Sequence, residues 1–227
     1  MKHPGIKKLF SIMNENFAII TPDYCKNAHE DMKNLINDVG RMSSQAQGLS
    51  HTITTFGSFL TSDHKIYMLF GEKENEFLGF AKTGPKNLFL WKRAGSQEEM
   101  RKICLLDFFV HPGSQRKGYG KIIMDFVLKQ ENLEMKDIPI DRPSMSCLRF
   151  MSKNYNLKDF LPQSNQYVVF DEFWPKDDKV SLPSLYDRKT PRLASNAILN
   201  KTSQNTINKN KYNQKRTGLN PITWLPY

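Results

Sequence analysis

Apolar residues recur along the first 175 positions of this chain with two periods, and the period assigns each stretch. Met32, Leu35, Ile36 and Val39 fall three and four apart, which predicts a long helix over 28–42 with one buried face. Shorter apolar runs predict strands over 17–21, 65–70, 76–82 and 87–92, the last two joined through Gly84-Pro85 as a hairpin. The run Ile103-Cys104-Leu105-Leu106-Asp107-Phe108-Phe109-Val110-His111 reads as a further strand and breaks at Pro112-Gly113. Glycines then lead into Tyr119, Ile122, Ile123, Phe126 and Val127, again at helical spacing. A second strand-to-helix unit follows. Its strand ends at Asp141, Pro143 suits the first helical position, and Cys147, Leu148 and Met151 supply the apolar stripe. Residues 167–173 alternate as a closing strand. Two parallel strands, each running into a helix beside an antiparallel run, predict an α+β fold with a mixed, mostly antiparallel sheet flanked by helices. Ligands of such sheets bind beyond the carboxyl ends of the splayed parallel strands.

From Lys176 the periodicity stops and Asn, Lys, Ser and Thr dominate, a composition that cannot offset the entropy of ordering. The expected division is one domain over 1–175 and a disordered tail over 176–227. The tail holds ten Lys and Arg against three Asp, so +7 of the net charge of +10 lies there. Such a tail suits an acidic polymer, such as an acidic protein surface or nucleic acid, through salt-sensitive contacts. A solvated tail without a partner is the other reading. Its more apolar end, 219–227, has the character of a short docking peptide.

The three cysteines, Cys25, Cys104 and Cys147, suggest neither a disulfide framework nor a zinc site, which fits a reducing compartment. No metal is expected. The longest apolar run near the start, Phe17-Ala18-Ile19-Ile20, is too short for a secretory signal or a membrane span. A soluble intracellular protein is the expectation.

The glycine turn carries the chemistry. Unpaired amides at a helix start bind anions, and the glycines of Gln115-Arg116-Lys117-Gly118-Tyr119-Gly120-Lys121 let backbone approach a phosphate closely. Arg116, Lys117 and Lys121 add positive charge where the helix dipole is already positive. A pyrophosphate is the natural occupant. The turn lacks the Gly-Lys-Ser/Thr end of a P-loop and the three glycines of the dinucleotide fingerprint. It resembles the acetyl-CoA signature Gln/Arg-x-x-Gly-x-Gly/Ala of the GCN5-related N-acetyltransferase superfamily.

Four segments narrow the resemblance. Cys-Leu-Leu-Asp-Phe-Phe-Val-His at 104–111, Gln-Arg-Lys-Gly-Tyr-Gly at 115–120, Asp-Arg-Pro-Ser at 141–144 and Asn-Tyr-Asn-Leu at 154–157 closely resemble the α-tubulin N-acetyltransferase family. Ala46-Gln47-Gly48-Leu49-Ser50, the strand from Gly79 to Gly84 and the late strand 168–173 agree with it. The resemblance covers roughly residues 5–175. It implies transfer of an acetyl group from acetyl-CoA to a lysine side chain of α-tubulin in microtubules, in the cytoplasm and in cilia or flagella, with no membrane or nucleic-acid partner.

Acetyl transfer requires a lysine amine, whose free pKa is about 10.4, to lose a proton and attack a thioester carbonyl. Asp141 is the first candidate to accept that proton, because its strand end borders the cleft and the resemblance implies a catalytic or substrate-binding aspartate there. An aspartate that starts the next helix or pairs with Arg142 is the plainer reading. Gln47 matches a glutamine tied to activity in the family. It cannot act as a base and would orient the amine or a loop; by the residues alone, a glutamine that caps or ties down the loop is the preferred reading. Cys104 reads by itself as a small core hydrophobe on the face of Leu106, Phe108 and Val110; the resemblance keeps it as a contributor, with direct attack in a ternary complex preferred.

Carried over by position, the acetyl-CoA segments are Phe108, Phe109, Val110, His111, Gln115, Arg116, Lys117, Gly118, Tyr119, Gly120 and Lys121, with Ser144, Ser146, Cys147, Arg149, Phe150 and Lys153. Ser146 stands where the family commonly has lysine, Phe109 where tyrosine is frequent, and His111-Pro112 replaces His-Glu. Lys82, Lys86 and Phe89 border the implied substrate groove; a solvated hairpin with Phe89 in the core is the alternative. Acetyl transfer to another protein or small-molecule amine, or microtubule binding without catalysis, are the competing functions.

Overall fold

A computed structural model of the protein describes residues 6, 9 and 13–175, apart from 15, 28 and 72–75. These fall within the unit Met1–Leu182; a second unit, Pro183–Tyr227, and with it the expectations for the basic tail and its apolar end, lies outside the described residues.

The strands are β1 (Met13–Asn14), β2 (Phe17–Ile20), β3 (Lys65–Phe70), β4 (Phe77–Trp91), β5 (Gln97–Val110), β6 (Ile140–Asp141), β7 (Phe160–Pro162) and β8 (Tyr167–Phe170). The helices are α1 (Pro22–Cys25), α2 (Glu30–Ala46), α3 (Phe56–Leu60), α4 (Tyr119–Glu131) and α5 (Met145–Tyr155). One sheet runs β1-β2-β3-β4-β5-β6-β8-β7. Among the described residues only β5 and β6 pair in parallel, through Leu105↔Ile140 and a bond from the Leu105 amide to the Pro139 carbonyl at 2.9 Å.

Alternation sorts the strand residues between two layers. Ile66, Met68 and Phe70 face α2, whose Met32, Leu35, Ile36 and Val39 are all buried as the periodicity predicts. Burying each such side chain contributes about 1.5–3 kcal/mol. Tyr67, Leu69 and Leu105 face the opposite layer, built from Ile123, Met124 and Val127 of α4 and Met151 of α5.

Four sequence expectations change. Strands 76–82 and 87–92 are one strand, β4, running straight through Gly84 and Pro85; the turn lies at 92–96, where Gly95 has φ 86°. The pairing explains this. β3 accompanies β4 only as far as Lys65↔Thr83, so Pro85 sits on a free edge where its missing N–H leaves no ladder bond unmade. Gly84 is small for a different reason: a Cβ there would lie 2.1 Å from the His64 ring. Helix α2 extends past position 42 to Ala46. On α4 Ile122 is 46% exposed while Met124 takes the buried place. Pro143 precedes α5, whose N-cap is Ser144, the Oγ accepting from the Cys147 amide at 3.2 Å.

β5 carries one residue more than its partner. Lys82 pairs with Asp107 and Thr83 with Leu105, so Leu106 is the extra residue of a bulge. The bulge flips every side chain beyond it. Cys104 and Leu106 pack with Leu88, Leu90, Val169 and Trp174, whereas Phe108 and Val110 turn to the α4 and α5 layer. Cys104 therefore does not share a face with Phe108 and Val110.

Candidate active site

Beyond the Leu105↔Ile140 pair, β5 and β6 separate, and a cleft opens between them. It is lined by 105–108 from β5, by 140–144 and Cys147 from β6 and the start of α5, and by Gln47, Leu49, His51 and Ile53 from the segment after α2.

Gln47 is placed by the end of its helix. It is the C-cap of α2, and Gly48 follows at φ 67°. The Gly48 amide donates to the Gln45 carbonyl at 3.1 Å and the Leu49 amide to the Ser44 carbonyl at 2.9 Å, a Schellman motif. The carboxamide then meets a buried carboxylate, Asp107, which is 5% exposed. Gln47 Nε2 donates to Ser43 Oγ at 2.9 Å and to Asp107 Oδ1 at 3.1 Å. Ser43 Oγ donates to Asp107 Oδ1 at 2.7 Å, and Thr54 Oγ1 to Asp107 Oδ2 at 2.5 Å. Three donors offset the desolvation of this carboxylate, each charge-assisted bond contributing about 1.5–3 kcal/mol.

The same segment is held at two further points. Lys82 Nζ donates to the Ile53 carbonyl at 3.0 Å, and the Ile53 amide donates to Ser44 Oγ at 3.3 Å. Lys82 is 6% exposed. Burial lowers its pKa, with Asp107 opposing that shift, so it acts as an internal strut rather than a surface cation. Lys86 stays at the surface edge and donates to His64 Nε2 at 3.0 Å. Burial, with the charges of Lys86 and Lys82, pushes the His64 pKa down to about 4, so the imidazole is a neutral acceptor. Because the unfolded histidine titrates near 6.5 and the folded one does not until about 4, stability is lost as pH falls through that interval. We expect denaturation midpoints in urea to show this slope for the wild type and less of it for His64→Gln. Phe89 is 52% exposed, outside the core.

Asp141 ends β6 with its carboxylate in the cleft. Arg142, at φ 40°, folds back on it, Nε reaching Oδ1 at 3.0 Å and Nη2 reaching Oδ2 at 3.4 Å. Pairing with Arg142 and a position in the cleft hold together. Cys104 is not in the cleft: it is fully buried, its Sγ donates to the Lys102 carbonyl at 3.4 Å, and burial pushes the thiol up to about 12. The charge of Lys86 favours a thiolate there, but burial outweighs it and Asp141 opposes it.

The glycine turn stands at the same end of β5. Gln115 Nε2 donates to the Val110 carbonyl at 3.0 Å, and Lys117 Nζ to the Gly113 carbonyl at 2.8 Å. Arg116 at φ 64° and Gly118 at φ 88° turn the chain so that Gly118 is the N-cap of α4, whose first amides lack intrahelical partners. A Cβ on Gly120 would press on Phe150 at 3.1 Å and Phe108 at 3.3 Å, so hydrogen alone leaves room for close approach. The Phe108 and Phe150 rings pack at a tilt beside it, their centroids 5.2 Å apart. This cradle fits a pyrophosphate with an apolar arm running into the cleft. Lys121 is engaged by Asp125 at 2.5 Å and lies over Tyr155, which leaves Arg116 as the freer cation of the turn. From α5, Cys147 lines the cleft, burial pushing its thiol up to about 12, and Arg149 donates to Ser146 Oγ at 3.4 Å. Tyr119 and Val110 pack in the α4 layer, His111 caps the 3-10 turn at Gly113, and Lys153 lies in the last turn of α5. The Phe109 side chain points away, into the α2 layer, so only its backbone faces the turn.

The site residues that sequence reasoning missed are Asp107, Ser43 and Thr54. Asp107 did leave a signal, as the lone carboxylate in the apolar run 103–111.

A family described as GNAT acetyltransferase, Mec-17, matches residues 4–200. An α-tubulin N-acetyltransferase of Aedes aegypti is 39% identical over 149 residues, covering 65% of this chain and 55% of that protein. Another, of Schistosoma japonicum, is 34% identical over 189 residues, covering 79% and 69%. The chain spans about half the length of most curated relatives it matches. Among solved structures, the xEco2 acetyltransferase domain aligns with 68% of this chain and 92% of that chain at 13% identity and a TM-score of 0.48.

Proposed function

The chain belongs to the Mec-17 family of GNAT acetyltransferases, and from that premise we propose that it transfers the acetyl group of acetyl-CoA to a lysine side chain of α-tubulin in microtubules. The observation that carries this reading is a cleft lined by Gln47, Asp107 and Asp141 whose further lining residue Phe108 packs against Gly120 at the start of α4.

Acetyl-CoA supplies a thioester carbonyl open to attack. The amides at the start of α4, with Arg116, bind its pyrophosphate, and Phe108, Phe150 and Cys147 flank the apolar arm. The lysine ammonium gives a proton to Asp141, the lone pair so exposed attacks the thioester carbonyl, and the carbon–sulfur bond breaks as the amide forms, the coenzyme A thiolate leaving and taking up the second proton shed by the nitrogen. Attack is direct, because Cys104 lies in the core with its thiol protonated. The division into a catalytic domain over 1–175 and a basic tail over 176–227, and action at cytoplasmic microtubules, belong to the same proposal.

The test is incubation of the purified chain with acetyl-CoA and unacetylated microtubules, with acetyl-lysine located by mass spectrometry. Modification of one α-tubulin lysine is the expected result. Lys86→Glu should raise KM for microtubules several-fold and leave KM for acetyl-CoA within about twofold, since a rim charge acts mainly on encounter with an oppositely charged partner. Binding of acetyl-CoA without any modification of tubulin would move the substrate to another amine.

A further inference from the structure

The buried carboxylate Asp107 is more than a core polar group, because a carboxylate can only accept hydrogen bonds. It meets the side-chain amide of Gln47 at 3.1 Å, and Ser43 spends its one hydroxyl proton on the same oxygen, Oδ1. Both acceptors facing Gln47 therefore require a donor. Only one orientation of the carboxamide satisfies them: Nε2 inward, toward Ser43 Oγ and Asp107 Oδ1, and Oε1 outward. The opposite orientation would set Oε1 against Oδ1 with no proton between them. Thr54, itself buried and bonded to Oδ2, fixes the carboxylate in turn, so the orientation is locked two residues deep.

We propose that Asp107 is a positioning residue that fixes the flip of Gln47, so that the Gln47 carbonyl faces the cleft as the acceptor for an N–H of the incoming lysine amine. This rests on the proposed acetyl transfer. It explains why a residue unable to act as a base stands at the cleft: a glutamine left to itself presents donor and acceptor equally, and a donor turned outward would repel an ammonium. Asp107 thereby selects the acceptor without touching substrate.

A double-mutant cycle on the full chain tests this, with Asp107→Asn, Gln47→Ala and the pair combined. Asp107→Asn is expected to lower kcat/KM for α-tubulin about tenfold or more while the dissociation constant for acetyl-CoA, measured by calorimetry, stays within about twofold. The combined variant should be no worse than Gln47→Ala alone, since a residue acting only through Gln47 has nothing left to orient. Losses that multiply, or wild-type kcat/KM in Asp107→Asn, overturn the proposal. If Asp107→Asn does not fold, Ser43→Ala, which removes one of the two inward acceptors, enters the same cycle. Nuclear magnetic resonance gives a readout independent of turnover. The Gln47 carboxamide protons, assigned by their loss in Gln47→Ala, should be protected from solvent exchange in the wild type and lose that protection in Asp107→Asn. Unprotected protons in the wild type would also overturn it. Should the wild type leave tubulin unmodified, the functional reading fails and the resonance experiment alone decides the orientation of Gln47.

Discussion

Asp141→Asn is expected to lower kcat on α-tubulin by about 10²- to 10⁴-fold, the range that a positioned general base contributes. The substitution keeps the shape of the side chain and removes its negative charge, and with that its ability to take a proton. The backbone of Asp141 is held by its pairing with Tyr167 and by the neighbouring Ile140↔Leu105 pair, so the residue should not wander. Loss of the carboxylate charge leaves the Arg142 guanidinium without a charged partner beside the cleft. That uncompensated charge should repel an ammonium, raising KM for tubulin as well. Acetyl-CoA affinity should hardly change, because the pyrophosphate cradle at Gly118 uses other residues. Steady-state kinetics with both substrates varied will separate these effects. Rates within about threefold of wild type would rule Asp141 out as the proton acceptor and turn attention to His51 at the cleft rim.

Gly40→Ala is expected to be the most damaging small substitution for stability. A Cβ at Gly40 would lie 1.8 Å from the Thr54 carbonyl oxygen and 2.8 Å from its carbon, both of them backbone atoms that cannot swing aside. Helix α2 and the segment 53–56 must then part. Overpacking of this kind costs about 1–3 kcal/mol or more, which for a domain of this size lowers Tm by about 2–4 °C per kcal/mol. The damage should reach catalysis too, since moving Thr54 loosens Asp107 and with it Gln47. Gly57→Ala is the matched control: nothing stands within 4 Å of its Cβ, so its Tm should hold or rise slightly. Thermal melts of the two variants against wild type decide this, and equal shifts would refute the packing argument.

How legible these features are in the sequence depends on how local their causes are. Strand β3 has the bounds that the apolar run predicts, and the stripe on α2 is buried as its spacing demands. The start of α4 follows from glycines whose meaning is local. Gly84-Pro85 misleads because a turn and a free strand edge tolerate the same residues, and only the length of β3 tells them apart. Ser43-Ser44 looks like a helix end, yet both serines are buried and bind the loop and Asp107, which keeps α2 going. The partners of Asp107 stand 64, 60 and 53 residues away in the chain, so no window of sequence contains them. The bulge at Leu106 is equally hidden, because an extra residue on one strand is defined only by counting against the other.

The joint between β5 and β6 has a mechanical consequence. A single register pair ties the five strands β1–β5 to the three strands β6–β8. A ligand entering there wedges into a seam that is already parted and breaks no ladder of backbone bonds. Away from that seam the two blocks are bridged by side chains, Gln163 bonded to the Trp91 backbone and Arg93 paired with Asp171, so the parting is confined to the cleft end. Room for a bulky cosubstrate there is thus built into the strand pairing and is not gained by unfolding any part of the sheet.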